Sequence, residues 1–141
     1  MQEVSFEEAL GQILMKDSRY PRDAYLFVRE ALDYTQKLAS KGGGGRTRHV
    51  TGQELLDGIR QFALAQFGPM TLTVFEEWGL RQCRDFGEIV FNMVEIGLLA
   101  KTDHDDRADF DGGYDFETAF RKPFLPLGKP ARPVEPRPSQ T

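Results

Sequence analysis

The chain has 141 residues, of which 40% are hydrophobic and 28% charged, with a net charge of −4, a composition that suits one globular domain around one core. Its single cysteine, Cys83, excludes a disulfide framework and any zinc site built from several thiolates. No apolar run reaches the roughly 18 residues of a membrane span, and "MQEVSFEEALGQ" has neither the basic start nor the apolar stretch of a signal peptide, so the expected setting is the cytoplasm.

Helix starts are signalled by a Ser, Thr or Asp whose side-chain oxygen accepts from an orphan backbone N–H, with a Glu three residues later returning the bond. Ser5 and Glu8 open a first helix with Phe6, Ala9, Leu10, Ile13 and Leu14 at helical spacing, ending near Asp17. A second helix, over about 22–40, has Pro21 near its first turn, and Ala24, Phe27, Val28, Ala31, Leu32 and Leu38 line one face. "SKGGGGRTRH" then reads as a flexible loop. It lacks the strand, the spacing and the Lys-Ser/Thr pair of a phosphate-binding loop, although Lys41, Arg46 and Arg48 give it a basic character.

Thr51 and Glu54 open a third helix with Leu55, Leu56, Ile59, Phe62, Ala63 and Phe67 inward, and Gly68-Pro69 breaks it. Thr73 and Glu76 predict a shorter helix over 73–82 that buries Phe75 and Trp78. Asp85 and Glu88 predict another over 86–96, with Phe86, Ile89, Val90, Met93 and Val94 as the buried stripe.

"GLLAKTDHDDRADFDGGYDF", residues 97–116, holds six aspartates and no glutamate. A calcium loop of the EF-hand type fails here: with Gly112 at position 6, Asp109 and Asp111 fall on ligand positions, but Arg107 takes the first ligand position and Thr118 the last. His104 alone makes no zinc site. As topology, "LLAKT", the turn "DHDDRA" and a strand within "DFDGGYDF" predict a β-hairpin, with Tyr114 and Phe116 on one face of the returning strand. Three helices followed by a two-stranded wing give the order of a winged helix-turn-helix.

Charge opposes the nucleic-acid function that this order suggests. Acids outnumber bases 13 to five over residues 51–116, and the helix at 86–96 turns Asp85, Glu88, Asn92 and Glu95 outward with no Lys or Arg. A basic protein surface is the natural complement. The candidate partner-binding residues are therefore Asp103, Asp105, Asp106 and Asp109 of the hairpin with Glu88, Asn92 and Glu95 of the helix. A plainer account is that the aspartates keep a hairpin edge soluble and unpaired.

Two other readings stand beside this one. A nucleic-acid-binding regulator would use Arg46, Arg48, Arg81 and Arg84, and divalent-cation binding would use the hairpin aspartates. His49 and His104 sit near no Ser or Cys in a recognisable arrangement, and the carboxylate pairs Glu7-Glu8 and Glu76-Glu77 begin helices, where the dipole favours negative charge. The sequence thus offers no catalytic residue and no cofactor motif. Phe116, Phe120 and Phe124 predict a short closing turn on the core. The last twenty residues hold six of the eight prolines and read as a disordered or polyproline-like tail, with a PxxP spacing at Pro130 and Pro133.

"RHVTGQELLDGIRQFALAQFG", "DFGEIVFNMVEIGLLAKT" and "DFDGGYDFETAF" resemble a bacterial family of conserved hypothetical proteins known from planctomycetes and verrucomicrobia, over about residues 5–124. The resemblance implies a bacterial cytoplasmic setting and brings no activity, cofactor or site residue with it. The expected fold is mainly α: two N-terminal helices, a glycine-rich loop over 41–50, a winged-helix-like unit over 51–116, a closing segment over 117–124 and the tail. One-sided apolar stripes on the first two helices require them to pack on the rest, with a homodimer where the monomer cannot cover them.

Overall fold

The computed structural model describes residues 5–42, 50–99 and 107–126. Residues 43–49 of the glycine-rich stretch, with Arg46, Arg48 and His49, the segment carrying Asp103, His104, Asp105 and Asp106, and the proline-rich stretch from residue 127 lie outside them.

Helix α1 (Phe6–Lys16) starts where the Ser5 oxygen accepts from the Glu8 N–H at 3.1 Å, and it buries Ala9, Leu10 and Ile13. Helix α2 (Arg22–Gly42) follows after a short connection and crosses α3 (Gly52–Phe67) at close range. Gly58 makes that crossing possible, since a Cβ there would lie 1.8 Å from Thr35 Oγ1 and 2.8 Å from its Cβ. Thr35 is itself buried and donates to the Ala31 carbonyl at 2.7 Å. The reciprocal box at the start of α3 forms as expected, with Thr51 Oγ1 accepting from Glu54 N–H at 3.1 Å and Glu54 Oε1 from Thr51 N–H at 3.0 Å.

The next two helices begin earlier than their sequence signals predict. Gly68–Met70 forms a 3₁₀ turn and α4 runs Thr71–Glu77, so Thr73 is an interior residue of the helix and not its cap. Thr71 is buried and its hydroxyl donates to Gly68 O at 2.7 Å, closing the corner from α3. Helix α5 runs Cys83–Glu95. Asp85 is its third residue, and one carboxylate oxygen accepts from the backbone N–H of Arg81 at 2.8 Å and of Gln82 at 3.1 Å. It holds the turn that feeds the helix, a job an acid at the third position performs from inside.

The core is aromatic. Phe75, fully buried, lies 5.5 Å from Phe27, 5.4 Å from Phe86, 5.7 Å from Phe116 and 5.0 Å from Phe120, ring centre to ring centre. Trp78 packs on Phe27 and Phe67 at the edge of this cluster and remains partly exposed. Four elements thereby meet on one ring.

The predicted hairpin is absent: no strand occurs among the described residues. Its returning half is instead a 3₁₀ turn, Arg107–Phe110, followed by a reversal at Gly112, whose φ of +64° no extended strand adopts. The physical reason is Phe110. A strand would alternate its side chains across two faces, whereas the turn drops Phe110 into a slot between α3 and α5, where added Cβ atoms on Gly52 and Gly87 would come within 3.2 Å and 2.9 Å of the Phe110 side chain. Tyr114 and Phe116 do pack inward, but from a loop and a helical turn: Tyr114 donates its hydroxyl to Leu56 O at 2.8 Å. A wide turn over Glu117–Arg121 buries Phe120, and Phe124 stays 42% exposed, so the closing segment packs on the core through Phe116 and Phe120 only.

Candidate functional site

The polar face of α5, predicted to look into solvent, is largely occupied from within the chain. Asp85 accepts from the Tyr20 hydroxyl at 2.8 Å in addition to its two backbone bonds. Asn92 donates to Asp17 Oδ2 at 3.0 Å and to the Tyr25 hydroxyl at 2.9 Å. Glu88 lies between two guanidinium groups, Arg107 at 2.7 Å and Arg19 at 3.2 Å. Glu95 pairs with Arg107 at 3.3 Å and is the most exposed of the four. Asp17, Arg19, Glu88, Arg107 and Glu95 thus form one alternating chain of charge that ties the α1–α2 connection, α5 and the 107–110 turn together.

The electrostatics follow from that pairing. Bonds from Arg19 hold the Asp17 carboxyl well below the usual carboxylate range, against a burial that would raise it, with Asn92 assisting. Burial would likewise raise Glu88, but Arg107 and Arg19 outweigh it and its pKa falls. Tyr20 moves the other way: burial, reinforced by the Asp85 carboxylate, pushes its hydroxyl above the normal range. The phenol therefore stays a donor to Asp85.

The second half of the aspartate-rich segment is fastened at Arg107 and Phe110. The Arg107 guanidinium bridges Glu88 and Glu95 and also stacks over Phe91 at 5.2 Å, while Phe110 meets Phe91 edge-on at 6.3 Å within its glycine-walled slot. Asp109 sits half-buried beside Gly52, and Asp111 is exposed, 3.7 Å from Arg84. The structure therefore places Asp109 against the start of α3, where its carbonyl accepts from Gln53 at 3.4 Å, on the same turn as the arginine that engages Glu88 and Glu95. Asp103, Asp105 and Asp106 lie outside the described residues. Of the alternative cationic set, Arg81 and Arg84 are exposed at the start of α5.

Sequence reasoning missed Asp17, Arg19, Tyr20 and Arg107. The signals were available: Asp17-x-Arg19-Tyr20 falls between two helices, where a short connection must lie on a neighbour, and Arg107 is the only cation between Lys101 and Arg121. Cys83 behaves as a packed thiol, buried at the first position of α5, with Sγ accepting from Tyr114 N–H at 3.3 Å and donating to Tyr114 O at 3.4 Å. Burial raises its pKa. A cleft of about 280 Å³ lies between it, Arg84 and Gly112. A wider, shallower groove of about 640 Å³ runs between α2 and α3 over Leu26, Tyr34 and Phe62.

Among the described residues no group of three or more His, Cys, Asp or Glu is placed to hold a metal ion, and no helix is long and apolar enough to cross a membrane. No protein-family profile, curated protein or solved structure matches the chain.

Proposed function

We propose that the protein is a non-catalytic protein-interaction or adaptor module of the bacterial cytoplasm, and that its acidic segment, Asp103 to Asp111 with Glu95 beside it, takes a partner with a basic surface. One observation carries the reading. Arg107 and Phe110 fasten the C-terminal end of the segment to α5, and Leu98 and Leu99 pack against the core at its other end, so the chain is anchored on both sides of residues 100–106. A cluster of acidic groups on a domain surface steers a cationic partner and keeps polyanions away. The chain's resemblance to the bacterial family and the winged-helix order of α3, α4 and α5 belong to the same proposal, and neither adds an activity to it.

A nucleic-acid reading draws less support. The face of α5 that would enter a groove carries Asp85, Glu88 and Glu95, and the α1–α2 connection covers it at Asp85, Glu88 and Asn92. The neighbouring Arg84 already has Asp111 at 3.7 Å.

The test is affinity capture of the tagged full chain from lysate of the source cells, with and without nuclease, beside a D103N/D105N/D106N variant. A protein partner that survives nuclease and is lost from the variant, at an unchanged Tm, supports the proposal. The same partners on both proteins, or partners that vanish with nuclease, would overturn it.

A further inference from the structure

We infer that α1, with the connection as far as Arg19, is a latch that opens as a unit while α2 to α5 stay folded, turning about a fixed point at Tyr20. The fixed point is well defined. Tyr20 is 3% exposed, its hydroxyl is bonded to Asp85 at 2.8 Å, and the chain just before it passes Gly79 so closely that a Cβ there would lie 3.1 Å from Arg19 O.

On the N-terminal side of Tyr20 the attachment is of a different kind. Helix α1 fully buries Ala9, Leu10 and Ile13 and lays Phe6 and Leu14 half-buried against the core, while Met15 is 89% exposed. Among the described residues, the side-chain polar ties between this segment and the remainder each involve a charged group: Glu7 with Arg22, the Arg29 guanidinium over the Phe6 ring at 4.4 Å, Asp17 with Asn92, and Arg19 with Glu88. The arginines among them are about half exposed, with Arg22 at 48% and Arg19 at 55%. Salt screens such contacts, whereas it leaves the buried aromatic packing around Phe75 and the Thr35–Gly58 crossing untouched. A segment held by one narrow apolar face and by ion pairs whose arginines reach solvent while Asp17 and Glu88 are mostly covered is therefore the first to leave, and ionic strength changes how often it does.

Opening frees one partner position on each of two α5 groups that the latch occupies, Glu88 and Asn92, while Glu88 keeps Arg107 and Asn92 keeps the Tyr25 hydroxyl. Use of that uncovered face by a partner rests on the proposed interaction function. The opening itself does not.

Native-state hydrogen exchange on the full chain decides it, without any partner. Amides of residues 9–17 should show protection at least about tenfold lower than those of residues 55–63, as expected of a sub-global opening. Moving from about 0.01 M to about 1 M salt should lower the 9–17 protection further and leave 55–63 nearly unmoved. The R19A variant should reduce 9–17 protection by roughly twofold to fivefold, with 55–63 again unchanged. Equal protection over the two regions, or a 9–17 region indifferent to both salt and R19A, would overturn the latch while leaving the interaction proposal standing. Loss of the captured partner from the aspartate variant tests that proposal independently.

Discussion

Phe110 packs so closely on Gly87 that a methyl group added to the glycine would lie 2.9 Å from both Cβ and Cγ of the phenylalanine. This contact fixes where the aspartate-rich segment rejoins the domain. Gly87 is inside α5 with ordinary helical backbone, so its small size, and not conformational freedom, is what the site needs.

Gly87→Ala should accordingly lower stability by about 1 to 3 kcal/mol through overpacking, despite the better helix propensity of alanine. Phe110→Ala should cost about 3 kcal/mol or more by emptying the slot. Gly11→Ala is the control: nothing lies within 4 Å of its added Cβ on the exposed side of α1, so it should gain about 0.5 to 1 kcal/mol. Urea denaturation of the three variants measures all of these. A neutral Gly87→Ala would mean that Phe110 is not seated as described.

At the α2–α3 crossing the two partners should be coupled. Gly58→Ala drives a methyl group into Thr35 and should destabilise by about 2 kcal/mol or more, because the 2.8 Å approach to Thr35 Cβ cannot be relieved by rotating the hydroxyl. Thr35→Ala keeps that Cβ but removes the hydroxyl, which would meet the new methyl at 1.8 Å, and the Thr35 γ-methyl at 3.0 Å. The double variant should therefore recover about 1 kcal/mol relative to the sum of the single changes in a double-mutant cycle. Strict additivity would contradict the geometry.

Stability should fall at both ends of the pH range, for opposite reasons. Asp17 and Glu88 bind protons more weakly in the folded chain than in the unfolded one. Their contribution is complete above about pH 5 and is lost as the pH falls through 4 and below. Tyr20, Tyr25 and Tyr114 are raised chiefly by burial, and so is Cys83. Their contribution is complete below the ordinary values of about 8.5 for a thiol and about 10 for a phenol, and declines as the pH rises past them. Denaturation midpoints across pH should show a plateau between these limbs, and R19A should flatten the acid limb. An acid limb identical in R19A and the parent would remove Arg19 as its cause.

The parts of this fold that sequence made legible are those set by local rules. The Ser5 and Thr51 caps, the apolar stripes of α1, α2 and α3, apart from Leu38, which is 41% exposed, and the break at Gly68-Pro69 all depend on neighbours within one or two turns. Thr73 and Asp85 were misread because a cap signature is only a weak preference, and tertiary packing decided both starts: a buried Thr71 turned the corner before α4, and Asp85 served two backbone groups from the third position of α5. The hairpin was misread for a longer-range reason. Alternation in "DFDGGYDF" describes a strand only if nothing pulls harder, and Phe110 had a slot made by two glycines 35 residues apart, Gly52 and Gly87. The polar face of α5 looked free because its partners, Arg19 and Tyr20 from the α1–α2 connection, lie more than 60 residues earlier.

Whether the acidic segment is the contact surface is measured most directly by hydrogen-exchange footprinting of the complex with the captured partner, compared with the protein alone. New protection is expected in peptides covering residues 99–111 and the C-terminal end of α5 around Glu95. Protection confined instead to the α2–α3 groove, or to the start of α5 around Arg81 and Arg84, would show that the acidic segment is not the contact surface.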